Sequence, residues 1–215
     1  MHTQTAQNRV FSMQWMTGTA MMIAVTLVLA NTPLGRITMP FLTATTLHIP
    51  VILATLVLGW QAGLITGLVF GVHSLISNLT GASFFAPFFI NPLVSVLPRA
   101  LFPLCVYGIA QGLKRLLGRF DPRHVVAYVA ASALGTALHT TMVMGMIYLL
   151  YGGQIGQLLA QGAGVPETIA QSGVGMGIAI MGVTNGLPEM IVACVIAPVI
   201  ALALDKAMGR IAVKK

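Results

Sequence analysis

The stretch Ala62–Thr80, AGLITGLVFGVHSLISNLT, contains no Asp, Glu, Lys or Arg. As a helix rising 1.5 Å per residue it would be about 28 Å long, close to the roughly 30 Å of a bilayer's hydrocarbon core. The rest of the chain agrees with a membrane reading of this run. Of 215 residues, 57% are hydrophobic and only 7% charged, and the mean hydropathy is +0.91. An ordinary soluble domain carries about 25% charged residues, so these side chains could not clothe a water-soluble particle. The composition excludes a soluble globular enzyme, a disordered chain and a nucleic-acid-binding domain. The net charge of +7 is therefore read as a signal of membrane orientation rather than of nucleic-acid binding.

Outward from that run, further apolar stretches give spans at approximately 13–30, 47–60, 62–80, 86–113, 125–151 and 176–205. The expected fold is an all-α integral membrane protein of six transmembrane helices in one membrane domain, 1–215. The second span is short, with Pro50 near its start and Gly59 closing it, which points to a tilted, broken or cavity-lining helix. The apolar run ending Val28-Leu29-Ala30 has the look of a signal-peptide end, but Arg9 is the one charge before it and the run is read as a retained span. With six spans, Arg9, the group Lys114, Arg115, Arg119 and Arg123, and the group Lys206, Arg210, Lys214 and Lys215 share one side. Arg36 and Glu167 fall on the other. By the positive-inside rule both termini are cytoplasmic.

Packing signals accompany the spans. Gly59, Gly63, Gly67 and Gly71 recur every fourth residue, a ridge on which a neighbouring backbone can approach closely. Ala127, Ala131, Gly135 and His139 form a similar stripe in the fifth span. Ala20 and Ala24, one turn after Thr17, make a small-xxx-small pair in the first. The loops at 31–46 and 152–175 are long for so small a protein, and are read either as lids over a binding site or as ordinary loops.

Ionisable groups at mid-membrane are costly and face a protein interior or a watery cavity by default. Arg99, His139 and Glu189 fall near the centres of the fourth, fifth and sixth spans. Asn91, Ser95 and Arg99 follow i, i+4, i+8 spacing, which on a continuous helix is one face. Asn185 and Glu189 share a face of the sixth span near Gly182 and Gly186, and Pro92, Pro98, Pro103 and Pro188 free carbonyls beside these positions. Two readings stand together: an Arg99–Glu189 ion pair joining two helices, or a cavity facing a substrate. His48 and His73 show no ligand-like spacing, and Cys105 and Cys194 lie in apolar runs, so neither a metal site nor a disulfide framework follows. No cofactor is expected. Phosphate-loop, zinc-protease and serine-hydrolase motifs are absent, so the chain is read as no enzyme and without its own ATPase.

Thr46-Leu47-His48-Ile49-Pro50-Val51-Ile52-Leu53, with Leu58-Gly59 and the glycine ridge, resembles the second and third helices of substrate-binding S-components. These are subunits of the energy-coupling factor (ECF) vitamin transporters of bacteria. Asn91-Pro92-Leu93-Val94-Ser95-Val96-Leu97-Pro98-Arg99 is similar to the fourth helix of the pantothenate and folate subgroup. Ala20 and Ala24 match the AxxxA motif by which first helices of the family dock on a coupling protein. The resemblance implies a multi-pass protein of the bacterial plasma membrane that binds a vitamin near its external side. It also implies association with a transmembrane coupling protein and two ATPase subunits. Carried over by position, it makes Asn78, Asn91, Ser95, Arg99, His139, Asn185 and Glu189 the candidate substrate-binding residues. A cationic Arg99 suits a carboxylate, which places pantothenate first among the vitamins, ahead of folate, cobalamin, a pyridoxine-type vitamin and a queuosine precursor. A self-contained carrier or channel, and a membrane scaffold whose polar residues are only structural, are the readings from other classes.

Overall fold

The computed structural model describes residues 12–38, 43–80, 86–118, 120–121, 124–160 and 173–208. Its first helix, α1 (Met13–Ala30), starts where the Ser12 hydroxyl accepts from Trp15 N at 3.2 Å. Two short antiparallel strands follow, β1 (Arg36–Thr38) and β2 (Thr43–Thr45), in the register Arg36↔Thr45. Residues 36–38 and 43–45, expected as loop, thus form the two strands of a hairpin, closed at its base by Thr46 N donating to Gly35 O at 3.1 Å.

Helix α2 (His48–Leu53) runs directly into a π-helical turn, Ala54–Leu58, which ends at Gly59 with φ +104°. That left-handed conformation favours glycine and stops the helix. At 1.5 Å per residue, His48–Leu58 reaches only about half-way across a bilayer core. Every residue from His48 to Val57 is buried, so this segment is an axis enclosed by the other helices. Non-helical backbone is tolerated at membrane depth where protein covers it.

Helix α3 (Trp60–Leu79) bears the glycine ridge. A Cβ on Gly63 would lie 2.0 Å from Thr55 Oγ1, one on Gly67 2.2 Å from Arg99 O, and one on Gly71 2.9 Å from Val96 Cα. Gly67 and Gly71 thus set backbone against backbone and Gly63 fits against the Thr55 side chain, whereas Gly59, the first of the expected series, meets nothing within 4 Å and serves the turn instead.

The expected fourth span, 86–113, is corrected: it is not one helix. It divides into α4 (Ala86–Phe89), α5 (Pro92–Ser95) and α6 (Leu97–Leu117). Pro92 and Pro98 lack the N–H that a continuous helix needs, and Asn91 Oδ1 caps α5 by accepting from Leu93 N at 3.0 Å. Helices α7 (Val125–Ala160) and α8 (Val174–Ala207) are longer than expected, at 36 and 34 residues. Residues 152–160 are accordingly helical rather than loop, while 161–172 lie outside the described residues. Gly135 meets Val106 of α6, and Ala127 and Ala131 are fully buried, so the small-residue stripe of α7 is also a packing seam.

Among the described residues, five helices, counting Pro92–Leu117 as one, are long and apolar enough to cross a membrane, with His48–Leu58 a shorter apolar segment. The described ends of the chain share one end of the bundle. Ser12 and Met208 line the same recess of about 850 Å³, together with Trp15, Gly59, Lys114 and Asp205. There Tyr128 OH donates to Asp205 Oδ2 and accepts from Lys114 Nζ at 3.1 Å, joining α6, α7 and α8. The apolar core fills the middle with Val51, Ile52, Phe70, Phe102, Val106 and Ala197. A second apolar cluster, including Phe88, Val94, Ile147 and Ile178, packs toward the other end.

Candidate functional site

Polar side chains converge where α2, α3, α6, α7 and α8 meet, on the far side of the core from the recess. Arg99 stands in the first turn of α6 rather than at the centre of a long helix, because Pro98 starts α6 immediately before it. Its Nη1 donates to Val94 O at 2.6 Å. Its guanidinium carbon lies 5.1 Å from the Phe89 ring centroid and 5.6 Å from that of Phe70, a cation–π arrangement that holds the plane in place. Among the described residues, Arg99 Nε has no hydrogen-bond partner.

His139, on α7, faces this group. Its ring centroid is 4.9 Å from Phe102, 6.1 Å from Phe70 and 6.2 Å from His48, which stacks on it at an interplanar angle of 19°. Among the described residues, neither ring nitrogen of His139 has a hydrogen-bond partner. The His48 ring lies beside the backbone of Thr45 and Glu189 without closing a hydrogen bond. His48, His139, Arg99 and Glu189 are 1, 5, 6 and 9% exposed, so water does not satisfy these atoms from bulk.

Glu189, near the middle of α8, accepts two hydrogen bonds on Oε1 from Thr45, from N at 2.6 Å and from Oγ1 at 3.2 Å. Arg99 and Glu189 are close enough to feel each other's charge. The hydrogen bonds of the one go to Val94 and those of the other to Thr45, and no direct ion pair joins them. One turn before Glu189, Asn185 Oδ1 is unpartnered, as is Thr140 Oγ1 beside His139. Gly186 brings these helices together: a Cβ there would lie 3.2 Å from Thr140 Cγ2.

Other expected residues sit differently. Asn91 Nδ2 donates to Tyr151 OH at 3.1 Å while Oδ1 caps α5, and Ser95 donates to Phe89 O. With the helix broken at Asn91 and Val96, Asn91, Ser95 and Arg99 do not form a single helix face. Asn91 and Ser95 instead secure the short helices that carry Val94 and Phe89 to Arg99. Asn78 donates to Ser74 O within α3 at 2.7 Å and does not join the cluster. Sequence reasoning set His48 aside and missed Thr45, Phe70 and Phe102. The one available signal was the placement of His48 at the head of a span too short to cross alone. Among the described residues, no three His, Cys, Asp or Glu side chains converge to hold a metal. Ala20 and Ala24 are exposed on α1, on the side away from buried Thr19, Thr26 and Ala30.

This arrangement is a buried cation beside a carboxylate, with at least six neighbouring donor or acceptor atoms left open. Comparison with known proteins gives the family. Residues 14–201 match the model of the ECF transporter substrate-specific component. The chain is also 31% identical over 171 residues to the pantothenic acid transporter PanT of Lactococcus lactis subsp. cremoris (strain MG1363), an alignment covering 76% of this chain and 78% of that protein. The chain belongs to the substrate-specific component family of ECF transporters.

Proposed function

We propose that this protein is the vitamin-capturing subunit of an ECF transporter, with pantothenate as its cargo. The observation that carries the reading is the set of unpartnered polar atoms around Arg99. Each buried donor or acceptor left unsatisfied costs about 1–3 kcal/mol, and Arg99 Nε, both ring nitrogens of His139 and Asn185 Oδ1 are all in that state. A ligand that satisfies them recovers that cost on binding. Pantothenate offers a carboxylate for the guanidinium, and an amide and two hydroxyls for imidazole and amide partners. The similarity to a pantothenic acid transporter supports the same choice.

In this reading Arg99 binds the carboxylate, His139, His48 and Asn185 take the polar body, and Phe70 and Phe102 wall the site. Asn91 and Ser95 shape it from behind, and Asn78 stands outside it. The recess end of the bundle, which bears Lys114, Arg115 and Lys206, is cytoplasmic by its basic residues, and the Arg99 cluster lies toward the exterior. The hairpin and α2 together make the sixth pass. Uptake is driven by a transmembrane coupling protein and two ATPase subunits, which meet α1 at Ala20 and Ala24.

The test is equilibrium binding of a vitamin panel to the purified chain in detergent, without partner subunits. Saturable sub-micromolar binding of pantothenate, weakened at least tenfold by Arg99→Ala, is expected. Binding of folate, cobalamin, a pyridoxine or a queuosine precursor in its place would reassign the cargo. A folded protein that binds none of them would overturn the reading.

A further inference from the structure

We infer that Trp15 is a positioning residue: it fixes the C-terminal end of α2 and its π-helical turn, and makes that segment a strut between the Arg99 cluster and the start of α1. For its ligand half the inference rests on the binding role proposed above. The turn at Gly59 ends the segment, and the last carbonyls of a helix have no partner within it. The indole of Trp15 reaches one of them, donating from Nε1 to Leu58 O at 3.2 Å. One turn further along α1, Gly18 makes room for the Leu58 side chain, since a Cβ there would lie 3.1 Å from Leu58 Cδ1 and Cδ2 alike. Trp15 N is itself tied to the Ser12 hydroxyl at 3.2 Å, so the grip on Leu58 comes from the capped first turn of α1.

At its other end the same segment begins with His48, whose ring stacks on His139 at 6.2 Å. At 1.5 Å per residue the two ends are about 15 Å apart. Between them the segment has no room to bend. Every residue from His48 to Val57 is buried, and Thr55 sits where α3 has no side chain, 2.0 Å from the position of a Cβ on Gly63. A close-packed element of this kind moves as a unit, by a small slide or turn along its axis. Its last turn can take up such a step. Gly59 N lies within hydrogen-bonding distance of both Ala54 O, at 3.1 Å, and Thr55 O, at 3.2 Å. The first is π-helical spacing and the second α-helical, so the turn holds both registers at once. A ligand that displaces the His48 ring therefore changes the balance at the Gly59 turn and the contact between Leu58 and Trp15. In the proposed function α1 is the helix that meets the coupling subunit, and the strut carries occupancy of the site to it.

The chain contains two tryptophans, Trp15 and Trp60, and Trp60 is 42% exposed at the start of α3. A Trp60→Phe background therefore makes Trp15 the sole indole reporter. The measurements are its emission and acrylamide quenching in nanodiscs, with pantothenate affinity by calorimetry. Without ligand, His48→Ala should change the quenching of Trp15 by roughly twofold or more, because a change at one end of the strut shifts the population at the other. Asn185→Ala, at the same site but on α8, should leave it unchanged. His48→Asn, which loses the ring and keeps a polar side chain, gives the same reading if His48→Ala does not fold. Saturating pantothenate should change Trp15 emission in step with binding. Trp15→Phe, which keeps a ring and deletes the N–H, should lose roughly two- to tenfold in affinity. Tyr128→Phe loosens the same end of the bundle through α6, α7 and α8 and should not, which separates positioning from general destabilisation. Trp15 quenching that is the same in wild type, His48→Ala and His48→Asn would overturn the strut, whatever the vitamin. Saturable pantothenate binding with a silent Trp15, or full affinity in Trp15→Phe, would overturn the ligand half. Absence of pantothenate binding would overturn the cargo proposed above, and the ligand-free comparison would still decide the strut.

Discussion

Gly67→Ala is the substitution in which fold and site are most tightly joined. The added Cβ would sit 2.2 Å from Arg99 O and 3.1 Å from Pro103 Cγ, whereas real Cβ atoms essentially never come within 3.0 Å of such a neighbour. Because the obstructing atom is backbone, no rotamer change relieves the clash, and α3 and α6 must part by about 1 Å. Overpacking of this kind costs about 1–3 kcal/mol. The strain falls on the residue whose guanidinium is held at 2.6 Å from Val94 O, so the site is displaced along with the helix. If the full cost appears in binding, pantothenate affinity falls roughly 5- to 150-fold. Gly108→Ala and Gly112→Ala provide controls on α6, since a Cβ at either position meets nothing within 4 Å. They should be neutral or stabilise by up to about 1 kcal/mol through helix propensity. Thermal unfolding and isothermal titration of the three variants in one detergent make the comparison. A Gly67→Ala protein that unfolds and binds like wild type would refute the close-approach argument, as would equal damage from Gly108→Ala.

Three further outcomes follow from other parts of the structure. Tyr128→Phe removes the hydroxyl shared by Asp205 and Lys114 and should cost about 1–3 kcal/mol in reversible unfolding, with pantothenate affinity within twofold of wild type because the network lies at the recess end. Asp121→Ala removes the carboxylate that accepts from Val125 N at 2.9 Å and Ala127 N at 3.0 Å; loss of this cap on α7 should cost about 0.5–2 kcal/mol in the same assay. Ala20→Trp, on the exposed side of α1, should leave vitamin binding intact and abolish ATP-dependent uptake in vesicles carrying the partner subunits. Binding and uptake that fall together would contradict a docking role for that face.

The membrane class and the packing seams were legible because they depend on composition and on spacing within a single helix. Gly63, Gly67 and Gly71 fall on one side of α3 whatever lies opposite. The prolines of the fourth span were visible too, but Pro92 and Pro98 were read as freeing carbonyls within one continuous span. Asn91 as a cap then turned a presumed face into three separate helices. The β1–β2 hairpin left little trace because Arg36-Ile37-Thr38 and Thr43-Ala44-Thr45 alternate polar and apolar over only three residues each, too short a run to mark a strand. Least legible were contacts between elements. Nothing local to His48 says that it will stack on His139, or to Thr45 that it will meet Glu189. Those pairings are set by how a half-length α2 is enclosed by the long helices, and by where the hairpin must end so that α2 can begin.

The account turns on Arg99 as the group that receives an anionic ligand. The most direct measurement compares pantothenate with its alcohol analogue, in which CH2OH replaces the carboxylate, in wild type and in Arg99→Ala. Charge-assisted hydrogen bonds contribute about 1.5–3 kcal/mol, so wild type should prefer pantothenate by roughly 10- to 150-fold, and Arg99→Ala should bind the two alike. An undiminished preference in Arg99→Ala would show that the carboxylate is recognised elsewhere and that the Arg99 cluster is not the vitamin site.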